Sequence, residues 1–461
     1  MPHRRLPFAA AALVALAADA VPGAAADALD DLEPGCWYEV PASRLRSAAP
    51  EPEPPGYSGL ASVMSAWSGA AFDESRDRLL VWGGGHADYA GNELYAFDLH
   101  TLAWSRLWGP TPSAQIPDGD GFETYLDGNP SSRHTYSGLV HVPAPHDALF
   151  AIGGSRWQNG YGTAATWRFT FADSTWTRRA DHLPGSSFGD ASVWDPVTGH
   201  VFHRGLNVLD EYDPATDAYV ERAREDGGWW EANLSAALDP DRRRMLIAGS
   251  GTMDLFHLDT GVYESIAPPG GEAVRDASAP GLAFEPSSGR FVAWVGGTDV
   301  YTYDFDVGEW LVHAAAGGPD PGPPLDNGTF GRWRYSPGRN VFVLANGVDA
   351  DVFVYRLSPG GGDPPEPPPD AGGDGDADAE DAAVEGDATG PDVAADHGGD
   401  AATDGPPDAG DEDGPGGCGC RATGTADAGW VMPAAAAWAM RRRRRSGSMR
   451  AESRRRLRCP S

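Results

Sequence analysis

Short apolar runs recur through the middle of this 461-residue chain, and each is stopped by glycine. Leu79–Trp82 ends at Gly83–Gly85, the run from Leu149 to Ile152 ends at Gly153 and Gly154, and the run from Phe291 to Val295 ends at Gly296 and Gly297. Runs this short, bounded by glycine, predict β-strands buried on both faces, because side chains alternate across a strand with period two. A second strand-like segment carrying Tyr or Trp follows each run, then a polar turn and a Trp: Tyr95 and Trp104, Trp167 and Trp176, Tyr301 and Trp310. These aromatic residues are expected to pack as framework.

Gly-ended strands fall near Gly83, Gly153, Gly205, Gly249, Gly296 and Gly347. An upstream segment with a polar, often Asp-Pro or Glu-Pro, turn precedes them at 70–78, 192–200, 236–244, 282–290 and 334–340, which predicts hairpins feeding the Gly-ended strands. The unit repeats at about fifty residues, the period of one propeller blade. Residues 109–130 interrupt the first spacing as an inserted loop. On these motifs the chain resembles the Kelch-type β-propellers, similar to the central domain of the galactose oxidase superfamily. The expected fold is therefore all-β, with six blades, or seven if residues 46–66 or the inserted loop contain a degenerate unit. The sixth unit lacks its outer Trp strand, and Cys36–Leu45 reads as that missing strand, so both ends of the domain would share one blade.

Composition divides the chain into zones. Residues 1–26 have a basic start, an apolar core and small residues ending Ala24-Ala25-Ala26, the pattern of a secretory signal peptide. Residues 27–360 hold the repeats. Residues 361–417 carry 18 acidic residues and no Arg or Lys, so they are expected to be a disordered Asp/Ala/Gly/Pro spacer. These charges are more than half of the net −32, which leaves the total charge uninformative about the folded part. Residues 418–445 place Cys418 and Cys420 before an apolar stretch and Arg441–Arg445, and 446–461 form a basic tail. That constellation resembles the MYXO-CTERM sorting signal, although the apolar stretch is short for a span and the chain continues beyond the arginines. The resemblance implies processing and lipid anchoring at the Gly-Cys motif, a sorting protease as partner, membrane anchoring, and display on the outer surface of a Gram-negative cell.

Lysine is absent from the whole chain, which excludes P-loop, Schiff-base and lysine-base chemistry. All four cysteines (Cys36, Cys418, Cys420 and Cys459) lie outside the repeats. A copper-radical oxidase of the galactose oxidase kind, which needs a tyrosine cross-linked to cysteine, is thereby rejected. No cofactor is expected beyond weak calcium, either in the acidic spacer around Asp374–Glu385 or at Asp118, Asp120, Glu123 and Asp127 of the inserted loop.

The resemblance implies that loops after the Gly-Gly strands and loops leading into the next blade converge on one face around the central channel. Candidate ligand-binding residues on that face are His86, Asp88, Tyr89, Asn92, Arg133, His134, Trp157, Asn159, Trp230 and Arg332. Arginines among aromatics suit a sugar or uronate, and His86, His134 and Tyr136 are the candidate acid/base groups. The alternative roles are structural: His86 capping its Gly-rich loop, Arg133 tying blade to blade, and the tryptophans packing between blades. The functional expectation is an exported surface propeller binding an extracellular glycan or protein, not nucleic acid. Its alternative is a carbohydrate-active enzyme, a polysaccharide lyase or hydrolase. In the lyase, His134 or Tyr136 would take the proton alpha to a uronate carboxylate that Arg133 neutralises.

Overall fold

The computed structural model describes residues 29–119, 121–183, 188–225, 232–359 and 459. The signal-peptide and acidic-spacer segments, Cys418 and Cys420, and Trp230 all lie outside the described residues. Six four-stranded antiparallel sheets make up a six-bladed propeller. Blade one runs Ala70–Asp73, Arg78–Trp82, Leu94–Asp98, Ala103–Trp108, and blade two Leu139–Val142, Ala148–Ile152, Thr166–Thr170, Thr175–Arg179. Blades three, four and five have the same up-and-down order within 191–224, 235–265 and 281–313. Blade six is Trp333–Ser336, Val341–Leu344 and Phe353–Tyr355, completed on its outside by Trp37–Glu39 from the other end of the domain.

That closing strand is where Cys36–Leu45 was expected to pair. Trp37 is fully buried, with its ring 4.8 Å from Tyr355 and 5.7 Å from Trp333. The innermost strand of each blade touches that of the next, and that of blade six returns to blade one. No seventh unit occurs among the described residues. Residues 46–66 contain only helical turns, Leu45–Ala48, Gly59–Ala61 and Ser62–Ser65, and the inserted loop has one helical turn at Ser113–Gln115 and an isolated bridge between Thr124 and Pro130.

Burial follows strand position. The second strand of blade one buries Leu79, Leu80, Val81 and Trp82 completely, because it has a neighbouring blade on each face. Outer strands instead alternate, and Trp104, Trp176 and Trp310 are their buried positions. The Asp residues of the hairpin turns are buried too. Asp195 accepts hydrogen bonds from the backbone N–H of Val197 (3.1 Å) and Thr198 (3.2 Å), and Asp239 from Asp241 (3.1 Å) and Arg242 (3.0 Å). A carboxylate that satisfies the turn's own donors explains why Asp recurs before these turns.

Among the described residues, an apolar plug stands on the loop face where the inner strands begin. A left-handed residue stands just before the inner strand of four blades: Trp67 (φ 45°), Tyr136 (φ 48°), Ala279 (φ 38°) and Phe330 (φ 51°). Backbone bonds link these leading segments around the axis, from Tyr136 N–H to Trp67 O (2.7 Å), Phe330 N–H to Ala279 O (3.0 Å) and Ala279 N–H to Asn233 O (2.9 Å). Tyr136, Ala279 and Phe330 pack with Trp67 and Phe188 as one apolar plug. Bulky residues rarely take positive φ, so the recurrence marks an architectural demand of the ring and not one site's chemistry. The open part of the axis lies below, a cavity of about 360 Å³ lined by inner-strand residues such as Ala71, Leu139, Val193 and Ala237.

Candidate functional site in the sector of blades one and two

Among the described residues, the loop face also carries a lateral concavity. A cleft of about 550 Å³ lies between the 58–67 segment and the 321–327 loop, lined by Ser58, Ser62, Ser65, Trp67, Asp88, Asp326, Asn327 and Asn346. Its volume is in the range of small-molecule sites. Ser62 is buried, and its Oγ has no hydrogen-bond partner; the same is true of Asn346 Oδ1.

Beside the cleft stand His86, Asp88 and His134. They come from the Gly-ended loop of blade one and from the short pair Arg133–His134 with Ser155–Arg156 that leads into blade two. His134 is buried, with Nε2 3.0 Å from Asp88 Oδ2 and a backbone bond to Gly85 on the ring. Burial pushes its pKa down, and the bond to Asp88 only partly offsets this, so the ring is neutral at neutral pH. Trp67 lies 5.0 Å from the His134 ring, and the His86 ring 5.3 Å from it. His86 and Ala87 both take positive φ (48° and 52°), which reverses the chain and turns Asp88 toward the cleft. Ser58 Oγ donates to Asp88 Oδ1 at 3.3 Å, and Tyr136 Oη pairs with Ser155 Oγ at 3.0 Å.

The other predicted site residues belong to the frame. Tyr89 is fully buried, and its hydroxyl donates to Glu93 Oε1 at 2.6 Å, as does that of Tyr95 at 2.7 Å. Asn92 clamps the inserted loop: its amide donates to Thr111 Oγ1 (3.0 Å) and Pro130 O (2.9 Å), and its oxygen accepts from Thr111 N–H (2.8 Å). Trp157 packs with Ala90 and Tyr125. Asn159 is half-buried, and its Oδ1 accepts from Tyr161 N–H at 2.9 Å. Arg332 is enclosed, donating to the carbonyls of Ser68 (2.9 Å), Ala345 (2.8 Å) and Gly328 (2.5 Å). It joins blade six to the segment leading into blade one and faces no solvent.

Arg133 is the most consequential correction. Its guanidinium is buried, donating to Glu123 Oε1 (2.8 Å) and Gly153 O (3.1 Å) and lying over Trp82. It cannot also neutralise a uronate, so the lyase scheme loses its charge partner. Glu123 leaves the expected calcium cluster for the same reason. It accepts from Thr163 Oγ1 (2.6 Å) and Trp167 Nε1 (2.8 Å) as well as from Arg133. Burial pushes its carboxyl up, but Arg133 and these donors override that and bring its pKa down to about 2. Asp127, another member, accepts from Thr111 Oγ1 (2.7 Å) and Asn129 N–H (3.0 Å).

A second histidine cluster had no sequence signal: His182, Asp190 and His203, all buried between blades two and three. His203 Nε2 is 3.4 Å from Asp190, Ser192 Oγ is 3.1 Å from His203 Nδ1, and His182 Nε2 donates to Thr163 O at 3.0 Å. Burial pushes His182 down, whereas Asp190 and Asp210 override burial and push His203 up. The partners come from distant strands, so no spacing rule would reveal them. No family model matches this chain, and no curated protein matches it.

Proposed function

We propose that this chain is an exported, Kelch-like propeller that binds an uncharged extracellular glycan at the lateral cleft and its rim. The observation that carries this reading is the placement of exposed aromatic rings. Among the described residues the exposed large aromatics are Tyr57, Phe122 and Tyr161, and all three stand on loops around the His86–Asp88–His134 cluster. Tyr57 N–H bonds Ala87 O (3.0 Å), Arg156 bonds Gly121 O (2.7 Å), and a Cβ at Gly160 would meet His86 Nε2 at 2.6 Å, so these loops form one sector. Exposed rings with short hydroxyl and amide groups suit the apolar faces and hydroxyls of a sugar. No arginine lines the cleft, which disfavours uronates.

Export is supported by the Cys36–Cys459 disulfide, a bond that persists in oxidising compartments, together with the signal-peptide pattern of residues 1–26. Anchoring through the MYXO-CTERM-like 418–445 segment would part Cys459 from the propeller and is therefore not proposed alongside this disulfide. An array of neutral and acidic glycans probed with the full-length protein tests the binding. Neutral glycans are expected to be retained by the wild type and lost in Tyr57→Ala/Tyr161→Ala, whose exposed rings leave the melting temperature unchanged. Retention of polyuronates alone, or equal binding by Tyr57→Ala/Tyr161→Ala, would overturn the reading.

A further inference from the structure

We propose that His86, Asp88 and His134 together hold one zinc-class divalent cation at the edge of the cleft. One ligand atom from each residue lies within 4.8 Å of the others. Donor atoms on one zinc ion, bound at about 2.0–2.2 Å, sit roughly 3.3 Å apart. His134 Nε2 and Asp88 Oδ2 are already 3.0 Å apart, so only the half-buried His86 ring has to swing inward.

The supports behind these ligands are those of a metal centre. The Gly85 backbone lies against the His134 ring, and Nε2 is the nitrogen that meets Asp88. The second oxygen of Asp88 accepts from Ser58 Oγ at 3.3 Å. Such outer partners fix ring and carboxylate orientation. Two imidazoles and one carboxylate form a donor set for zinc and its first-row neighbours rather than for calcium, which takes oxygen. Three protein ligands leave coordination positions free, as in sites that bind an exogenous group. Asp88 lines the cleft, so those positions face it and are suited to a hydroxyl or carboxylate oxygen of a bound molecule.

The buried His182–Asp190–His203 group is the weaker candidate. His182 Nε2 is already bonded to Thr163 O, and its Nδ1 lies 3.4 Å from Leu183 O.

The test is equilibrium dialysis of the full-length protein against Zn2+ and Co2+, in a Cys418→Ser/Cys420→Ser background so that thiolates do not compete. Bound metal is measured by mass spectrometry, and the Co2+ form by its visible absorption. One tightly held equivalent is expected, lost in both His86→Ala and Asp88→Asn. Ser58→Ala is expected to weaken it by about tenfold. His86 and Asp88 are only partly buried, so these variants keep the fold even if His134→Ala does not. No tightly bound equivalent in the parent, or an equivalent that survives both substitutions, overturns the proposal. The readout contains no glycan, so it stands or falls separately from the glycan reading.

Discussion

Replacing Glu123 by Gln is the sharpest probe of how the inserted loop is tied to blade two. The carboxylate accepts from Arg133, Thr163 and Trp167, and lies 3.7 Å from Arg178 and 3.9 Å from Arg156. Gln preserves shape but removes the charge opposite a buried guanidinium, and breaking such a pair costs about 3–5 kcal/mol. The pH dependence separates this charge effect from packing. The carboxyl pKa falls from 4.5 to about 2 on folding, so its stabilisation is complete above 4.5 and lost as pH falls toward 2. Between pH 6 and pH 3 the linkage amounts to about 2 kcal/mol, because the unfolded chain takes up the proton that the folded one refuses. Urea titrations of the wild type and Glu123→Gln, followed by tryptophan fluorescence at several pH values, measure the difference in unfolding free energy. Groups that titrate alike in both proteins cancel. The gap between the two is expected to narrow by about 2 kcal/mol from pH 6 to pH 3. A gap independent of pH would refute the argument, and so would a gap that widens in acid.

Three further outcomes follow from the same contacts. Arg332→Lys should cost about 3 kcal/mol in urea unfolding, because one ammonium cannot replace three bonds to divergent carbonyls; a loss under about 1 kcal/mol would contradict the strut role. Gly160→Ala places a Cβ 2.6 Å from His86 Nε2 at φ +71°, so the His86 imidazole resonances should shift while the blade-four and blade-five amides stay fixed; an unmoved His86 spectrum would refute this contact. Peptide mapping without reductant should recover Cys36 linked to Cys459, and recovery of Cys36 as a free thiol would remove the disulfide that supports export.

The blades were legible in sequence because burial on both faces forces short, wholly apolar strands, and the turns between them need Asp and glycine. The Cys36–Leu45 segment was legible for the same reason: one blade lacked an outer strand, and one orphan strand was available. Site residues were harder to read. Arg133, Asn92 and Tyr89 look functional in a polar, Gly-rich context, but their partners Glu123, Thr111 and Glu93 come from segments whose fold the repeat does not specify. Arg332 was misread because its partners are backbone carbonyls, which carry no residue type. The axial plug did leave a trace, in the aromatics that precede Gly69, Gly138, Gly189 and Gly331, but the repeat pattern directed attention to the other end of each unit.

The loop His86–Asn92 shows why residue type alone could not separate site from frame. Consecutive left-handed backbone at His86 and Ala87 reverses the chain, and Asp88 N–H closes the turn on His86 O at 2.5 Å. That reversal leaves the first part of the loop at the surface, where His86 and Asp88 meet His134. The second part returns inward, burying Tyr89, Ala90 and Asn92, and Asn92 then fixes the inserted loop that brings Glu123 to Arg133. Seven consecutive residues therefore perform both tasks, and the boundary between them is a backbone conformation. Chemistry at the cleft is open to change by substitution at His86 or Asp88, whereas a change at Tyr89 or Asn92 acts through the fold before it reaches any ligand.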